Sequence, residues 1–485
     1  MMNPFLPRAT PESQGLPSSA ILRFVEALEQ QIDEMHSFML LRHGHVVAEG
    51  WWAPYQRERP HRLYSLSKSF TATAVGLAVA EGLFALDDPV LAFFPEATAS
   101  SNTYLPRLQV RHLLTMTTGH ATDTWGPMVW RPDGDWIRGF FEVPLQHEPG
   151  THFLYNTGAT YLLSAIVQRT SGVTVNDYLT PRLYAPLGIH SATWSTSPQG
   201  VSAGGIGLSL TTAAIARFGQ LYLQHGLWQG RQLLPAAWVA AATAAQVANG
   251  TETHDWSQGY GYQFWRCRHG AYRGDGAFGQ YCVVLPEQAA VLAMTGGIDV
   301  FGMQPPLDLV WELLLPALAA EPLPADAPAQ QALAAKCATL TRPPVPGQAA
   351  SPLSAQVAGR TYQFDANALG LASLALSFSP AGGTLQLATA TGAETLLVGF
   401  GAWQPGHTSL FNDTELSGQT PVFASGAWTA EDRYTAIVRL VETPFYYTLV
   451  FHYAGDELLL ESRVNASLEG VRTLLLTARA ERPAA

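Results

Sequence analysis

Ser65-Leu66-Ser67-Lys68 sets a hydroxyl and an amine three residues apart at the start of an apolar run. On a helix these two side chains share a face and lie within reach of one another. A neutral Lys amine can take the proton of a Ser hydroxyl, and an adjacent base is one of the few ways to make serine a nucleophile. Lysine is neutral near pH 7 only where burial or a neighbouring cation favours that form, and the apolar residues after Lys68 can supply the burial. Of the 27 basic residues, 25 are Arg and two are Lys, Lys68 and Lys336. Arg does not lose its proton in a protein and Lys can, so a Lys kept in this place is a chemical signal. Lys336 has Leu333, not a hydroxyl, three residues before it. The competing reading makes Ser65 an N-cap and Lys68 a solvated cation, although a first-turn cation opposes the helix dipole.

Two further segments carry groups of the right type. In Pro149-Gly150-Thr151-His152-Phe153-Leu154-Tyr155-Asn156-Thr157-Gly158, a tyrosine beside a Ser–Lys pair can carry a proton to a leaving group; an ordinary half-buried Tyr is the alternative. In Gly274-Asp275-Gly276-Ala277-Phe278-Gly279-Gln280, glycines allow a close backbone approach whose N–H groups can stabilise an oxyanion. A bulge or tight turn is the alternative there. Trp125, Trp130, Trp136 and Trp265 are candidates for a pocket wall, with core packing as their other role. The chain has no Gly-x-Ser-x-Gly elbow, His-Glu-x-x-His, P-loop or EF-hand loop, and its scattered histidines read as structural or exposed. Cys267, Cys282 and Cys337 show no zinc spacing and read as reduced thiols, partly in the core.

The elements that must position these groups follow from periodicity. Residues 20–32 read as a helix, and 37–41 and 45–52 as two strands around Arg42-His43-Gly44. Residues 65–83 read as a long buried helix, with further helices near 110–117, 159–171, 211–225 and 234–245. Strand character returns at 259–266, 282–285 and 290–295, and a helix follows at 306–318. The pattern fits an α+β fold, an antiparallel sheet flanked by helices with a helical subdomain. Residues 321–350 turn to Ala, Pro and Gln and read as a linker between a domain at 1–320 and one at 351–485. Short alternating runs at 371–378, 384–387, 434–441, 446–453 and 457–463 make the last part all-β, a small barrel or sandwich.

At 485 residues, with 47 % hydrophobic and 13 % charged residues, the chain can bury more than one core and is not globally disordered. Its net charge of −11, with no basic cluster, disfavours nucleic acid and anionic membrane surfaces as partners. No apolar run reaches the length of a membrane span, so a soluble cytoplasmic protein is expected.

Over residues 10–318 the three segments, in this order, resemble the penicillin-recognising serine hydrolases. The resemblance is to the class C β-lactamase-like group, with its esterases, D-aminopeptidases and aminohexanoate-oligomer hydrolases. Glu81 to Val90, Val110 to Gly119 and Pro186-Leu187-Gly188-Ile189 are also similar to family segments. The resemblance implies Ser65 as the acyl-accepting nucleophile, Lys68 as its base and Tyr155 as proton shuttle. It also implies an oxyanion hole from the N–H groups of Ser65 and Ala277, with Gly276 and Asp275 beside it. The family's Tyr-x-Asn is Tyr155-Asn156-Thr157 here, so either Thr157 replaces the Asn or Asn156 is displaced by one position. The family's Lys-Thr-Gly or His-x-Gly becomes Gly274-Asp275-Gly276, which removes the cation that binds a substrate carboxylate. Asp275 is then expected to repel anions and attract an amine, with Arg273 able to restore the positive charge. The function implied is hydrolysis of a carboxylic ester or small amide through an acyl-enzyme, without metal or organic cofactor, the β domain resembling the lipocalin-like barrels of some relatives. The alternative is a protein that senses β-lactams or peptidoglycan fragments by acylating without efficient turnover. Nothing in the residues fixes the oligomeric state.

Overall fold

In the computed structural model, which describes residues 6–97, 102–389, 392–411 and 418–481, the chain first reverses at His43 (φ 48°) and Gly44 (φ 77°). Both residues take the left-handed conformation that a tight hairpin between β1 (Met35–Arg42) and β2 (His45–Trp51) requires. The other strands of this sheet come from the far side of the sequence: β3 (Trp265–Arg266), β4 (Tyr272–Gly276), β5 (Gln280–Leu285) and β6 (Ala290–Gly296). The order is β2-β1-β6-β5-β4-β3, with β1 pairing antiparallel to β6 from Arg42 opposite Ala290 to Met35 opposite Gly296. Every residue of β1, β4, β5 and β6 is buried, so both faces of the sheet centre are covered.

The covering helices are those the apolar spacing predicts. Helix α1 (Ser18–Gln31) buries Ile21, Phe24, Val25 and Leu28 against the segment 304–314. Helix α2 (Ser67–Ala80) is buried nearly all round and packs on α3 (Thr157–Ser171). Helix α4 (Thr212–Leu223) lies on β6 and β5, where a Cβ on Gly219 would stand 2.6 Å from Val291 Cγ1 and 2.8 Å from Cys282 Sγ. Phe70 of α2 stacks on Phe218 of α4 with ring centroids 3.9 Å apart. The α+β expectation therefore describes this part of the chain, with two differences. The strand expected at 259–266 shrinks to Trp265–Arg266, because Gly259 (φ 104°) and Gln263 (φ 62°) leave the extended region. The stretch expected as a linker contains helix α5 (Ala327–Ala338), capped by Asp326, which accepts from Ala329 N at 3.0 Å. Its alanines favour helix, and it docks on α1 through Lys336 to Glu29 and on the turn before α1 through Gln330 to Glu12.

The C-terminal strands are β7 (Thr361–Phe364), β8 (Leu371–Ser379), β9 (Gly382–Thr389), β10 (Gly392–Gly399), β11 (Gln404–Thr408), β12 (Thr420–Ala430), β13 (Arg433–Leu440), β14 (Tyr446–Ala454), β15 (Glu457–Val464) and β16 (Thr473–Ala480). Nine of them form a barrel in the order β10-β9-β8-β7-β16-β15-β14-β13-β12, closed by a parallel bridge between Gly399 and Ser425, while β11 adds to β12. Of the barrel and the sandwich left open by the sequence, the barrel is the one formed. Alternate residues such as Leu449, Phe451 and Tyr453 point inward and meet Trp428, Tyr434 and Leu460 in its core.

The two compact units are not two halves of the sequence. The first is Met1–Gly50, Pro60–Gly296 and Phe301–Thr339, and the second is Trp51–Arg59, Gly297–Val300 and Leu340–Ala485. Within the second unit, Ala53 N donates to Leu340 O at 3.0 Å, Arg342 N donates to Ala53 O at 2.7 Å, and Trp52 is fully buried. No described helix is long and apolar enough to cross a membrane.

Candidate active site

Ser65 sits in a single tight turn, Tyr64–Leu66, wedged between the short strand His61–Arg62 and the first residue of α2. The strand is fixed by pairing with Leu210 and Ser209. Tyr64 has φ 48°, an unusual conformation for a bulky side chain, and it is held by Ser67, whose Oγ donates to Tyr64 O at 2.6 Å and accepts from Leu208 N at 3.2 Å. The Tyr64 ring meets Phe278 edge-on at 4.9 Å. The second serine of the motif is thus a fully buried brace, and it leaves Ser65 at the positive end of a long helix.

Lys68, one helical turn on, is 1 % exposed. Its Nζ lies 3.0 Å from Ser65 Oγ, 3.0 Å from Gly205 O and 3.3 Å from Thr157 Oγ1. An uncharged amine has two hydrogens and one lone pair, so donation to Gly205 and Thr157 leaves the lone pair for the Ser65 hydroxyl. Thr157 opens α3, and its N–H donates to Asp123 Oδ1 at 2.9 Å. Thr157 is therefore the residue that meets Lys68 in place of the family's Asn. Asn156, also expected at the substrate, is fully buried elsewhere: its Oδ1 caps α3 at Gly158 N (3.1 Å) and accepts from Thr124 Oγ1 (2.8 Å), and its Nδ2 faces Thr118 and His120. An N-cap side chain folds back on its own helix, which is why this amide cannot also reach Lys68.

Tyr155 approaches from the loop before α3, its hydroxyl facing Ser65 and its ring 4.8 Å from Lys68 Nζ. The ring stacks on Trp265, centroids 5.3 Å apart and planes 18° from parallel, and meets Tyr260 edge-on. Burial, reinforced by the Asp275 carboxylate, pushes the phenol well above its ordinary value, so the hydroxyl keeps its proton at neutral pH.

Strand β4 closes the far side, and its glycines are dictated by packing. A Cβ on Gly276 would overlap Leu63 O, and one on Gly274 would lie 2.5 Å from Leu66 Cδ1 and 2.6 Å from Ser69 Oγ. Gly276 therefore contributes close backbone approach and no side chain. Ala277 follows directly, in a turn completed by Phe278 (φ 70°) and Gly279 (φ 90°). The turn is tied by Gln280, whose Nε2 donates to Phe278 O and Gly296 O at 3.1 and 2.9 Å. Asp275 does not present the free charge expected of it. Its Oδ2 accepts from Arg273 Nε at 2.8 Å, and the whole side chain is 6 % exposed. Burial pushes its carboxyl above the ordinary value while Arg273 pulls it back. Arg273 is fully buried and paired, so it does not restore a substrate-binding cation either.

Three supports carried no sequence signal of their own except a Gly-Gly pair. Gly205 offers its carbonyl to Lys68, and a Cβ there would stand 2.8 Å from Thr157 Cγ2. Asp123 anchors the start of α3. Gln263 accepts from Thr160 at 2.6 Å, donates to Leu113 O and Leu114 O, and takes the Ser69 hydroxyl on its backbone oxygen, tying α2 to α3. Of the tryptophans considered as pocket wall, Trp265 borders Tyr155, Trp125 and Trp136 pack on each other, and Trp130 is 72 % exposed.

The 6-aminohexanoate-dimer hydrolase of Paenarthrobacter ureafaciens is 28 % identical over 253 residues, covering 49 % of this chain and 64 % of its own. The chain thus spans less than two thirds of that relative's length. Among solved structures, a putative 6-aminohexanoate-dimer hydrolase from Bacillus anthracis matches with a TM-score of 0.52 at 20 % identity, covering 66 % of this chain and 89 % of that one. The octameric penicillin-binding protein homologue from Pyrococcus abyssi matches with a TM-score of 0.50 at 16 % identity, covering 94 % of this chain and 99 % of that one; both structures speak for the fold alone. A family model described as Beta-lactamase spans residues 25–298, more than half of the chain and the whole of the Ser65, Lys68, Tyr155 and β4 constellation, so the chain belongs to the beta-lactamase family.

Proposed function

We propose that the protein is a serine hydrolase that cleaves a carboxylic ester or small amide through an acyl-enzyme on Ser65. The observation that carries this reading is Lys68 Nζ, buried and 3.0 Å from Ser65 Oγ, with the Tyr155 ring 4.8 Å from the same amine. Lys68 takes the hydroxyl proton as Oγ attacks the carbonyl carbon. The N–H groups of Ser65 and Ala277 receive the developing oxyanion, and Tyr155 passes a proton to the departing alcohol or amine. In the second half a water is deprotonated along the same path, attacks the ester carbon and releases the acid, returning the proton to Ser65. Names of relatives, hydrolase of an amide dimer among them, agree with this reaction class.

The walls around Ser65 favour an uncharged acyl group. Tyr155 presents an aromatic ring backed by the buried Tyr260 and Trp265, and the Arg273–Asp275 pair cancels its own charge. Neutral esters are therefore expected to turn over faster than a chromogenic cephalosporin, because Arg273 is already paired with Asp275 and not open to its carboxylate.

Intact-mass spectrometry with a fluorophosphonate probe, alongside p-nitrophenyl butyrate turnover, tests the mechanism on wild type, Ser65→Ala and Lys68→Arg. Labelling and turnover of the wild type, with both lost in Ser65→Ala and turnover lost in Lys68→Arg, is the expected result. Persistent labelling and activity of Ser65→Ala would sink the assignment. Labelling of the wild type without turnover would instead establish the sensing protein.

A further inference from the structure

Tyr155 lies outside any helix or strand, so its ring is aimed by neighbours and not by its own backbone element. The neighbour stacked on it, Trp265, stands on β3 directly opposite Arg273 of β4, and Asp275 is the next residue of β4 on the same face. The Arg273 guanidinium lies 5.7 Å from the centre of the Trp265 ring, and Arg273 Nε donates to Asp275 Oδ2 at 2.8 Å. Arg273 is fixed in turn: Nη1 donates to Asp255 O at 2.7 Å and to Cys267 Sγ at 3.1 Å, and its guanidinium lies 4.3 Å from the Trp256 ring. Asp255 is fully buried and accepts from Arg268, Gln304 and Trp311. A buried ion pair is at best weakly stabilising compared with well-packed apolar side chains, so stability alone gives no account of charges in this place. What the pair supplies is a guanidinium with one fixed direction, and through it an indole with one fixed plane.

We propose that Arg273, Asp275 and Trp265 are positioning residues for Tyr155, the ion pair holding the indole whose plane sets the angle at which the Tyr155 hydroxyl meets Ser65 and the leaving group. This rests on the reading of Ser65 as nucleophile and Tyr155 as proton carrier. None of the three touches the reacting atoms; they act through Tyr155. Misplacing a catalytic group by an ångström costs up to about a hundredfold in rate, so the effect is large enough to measure.

A double-mutant cycle on p-nitrophenyl butyrate decides the matter, with Trp265→Phe, Tyr155→Phe and the two together. Trp265→Phe keeps a ring and loses the wider indole face that lies between Arg273 and Tyr155; it is expected to lower kcat about tenfold while KM stays within about twofold. Trp265→Leu, which loses the stack as well, is expected to fall further. In the Tyr155→Phe background, Trp265→Phe is expected to have no further effect on kcat, because the group it aims is already gone. An unchanged kcat in Trp265→Phe, or the same loss in both backgrounds, overturns the proposal, since a purely structural role lowers kcat whether or not the phenol is present. If the Trp265 variants do not fold, Asp275→Asn is carried through the same cycle with the same expected outcomes. Ser65→Ala runs alongside. If it stays active, the nucleophile assignment fails and this proposal with it; if it is inactive and the cycle is additive, only the present proposal fails.

Discussion

Chemistry at Ser65 depends on which groups compete for the Lys68 amine. Thr157→Val keeps the side-chain shape and removes one of its acceptors, so the amine loses that hold and keeps the Gly205 carbonyl while it waits for the Ser65 proton. A loss in kcat of roughly tenfold, equivalent to about 1.4 kcal/mol, is expected, with recovery in Thr157→Ser. Tyr155→Phe removes the proton carrier itself and is expected to lower kcat by about a hundredfold or more; a turnover assay on the purified variants checks both. Ser65, Lys68 and Tyr155 were legible in the sequence because their chemistry lies in residue type and short spacing. The choice between Asn156 and Thr157 was not, since it turns on whether one side chain folds back to cap its own helix. Gly205 was invisible for a different reason: it acts through a backbone carbonyl, which every residue has. The expectation for Asp275 failed because a charged residue read alone has no partner, and here the partner is two positions away on the same face of the strand.

At the scale of elements, the start of α3 is the point where acid should act first. His120 is fully buried, its Nδ1 facing Thr118 and Asn156 and its Nε2 the Val143 carbonyl, and burial pushes its value down from 6.5 to about 4. The unfolded chain therefore binds a proton that the folded chain refuses between these two values. Stability falls as pH drops below about 6.5 and levels off below about 4, a loss on the order of 3 kcal/mol. Urea unfolding at about pH 7 and pH 4.5 is expected to show a smaller acid loss in His120→Gln than in wild type; equal losses would remove His120 from the account. Strand β4 makes the complementary prediction. Gly276→Ala drives a methyl into Leu63 O and so displaces the Ser65 turn, and fluorophosphonate labelling is expected to fall with activity. The long helices and the inner strands were readable from their periods. Two C-terminal strands were not: β11 and β12 carry Pro405, Gly406, Pro421 and Gly426, residues that signal turns, and only pairing with neighbouring strands overrides them.

For the whole molecule, the division into units cuts across the sequence. Residues 51–59 belong with 340–485, and Ala53 exchanges backbone hydrogen bonds with Leu340 and Arg342 while Arg59 reaches Glu442. A protease site placed between Thr339 and Leu340 should consequently give two fragments that elute together on a sizing column and part only in denaturant. Separation in native buffer would show that the 51–59 segment is not held as described. The same arrangement has a consequence for synthesis. Trp52 and Tyr55, both buried in the finished protein, emerge about 280 residues before the segment that covers them, a delay on the order of tens of seconds on the ribosome. Through that interval the nascent chain displays two aromatic side chains with nothing to close over them, a natural landing place for a chaperone that reads exposed apolar chain.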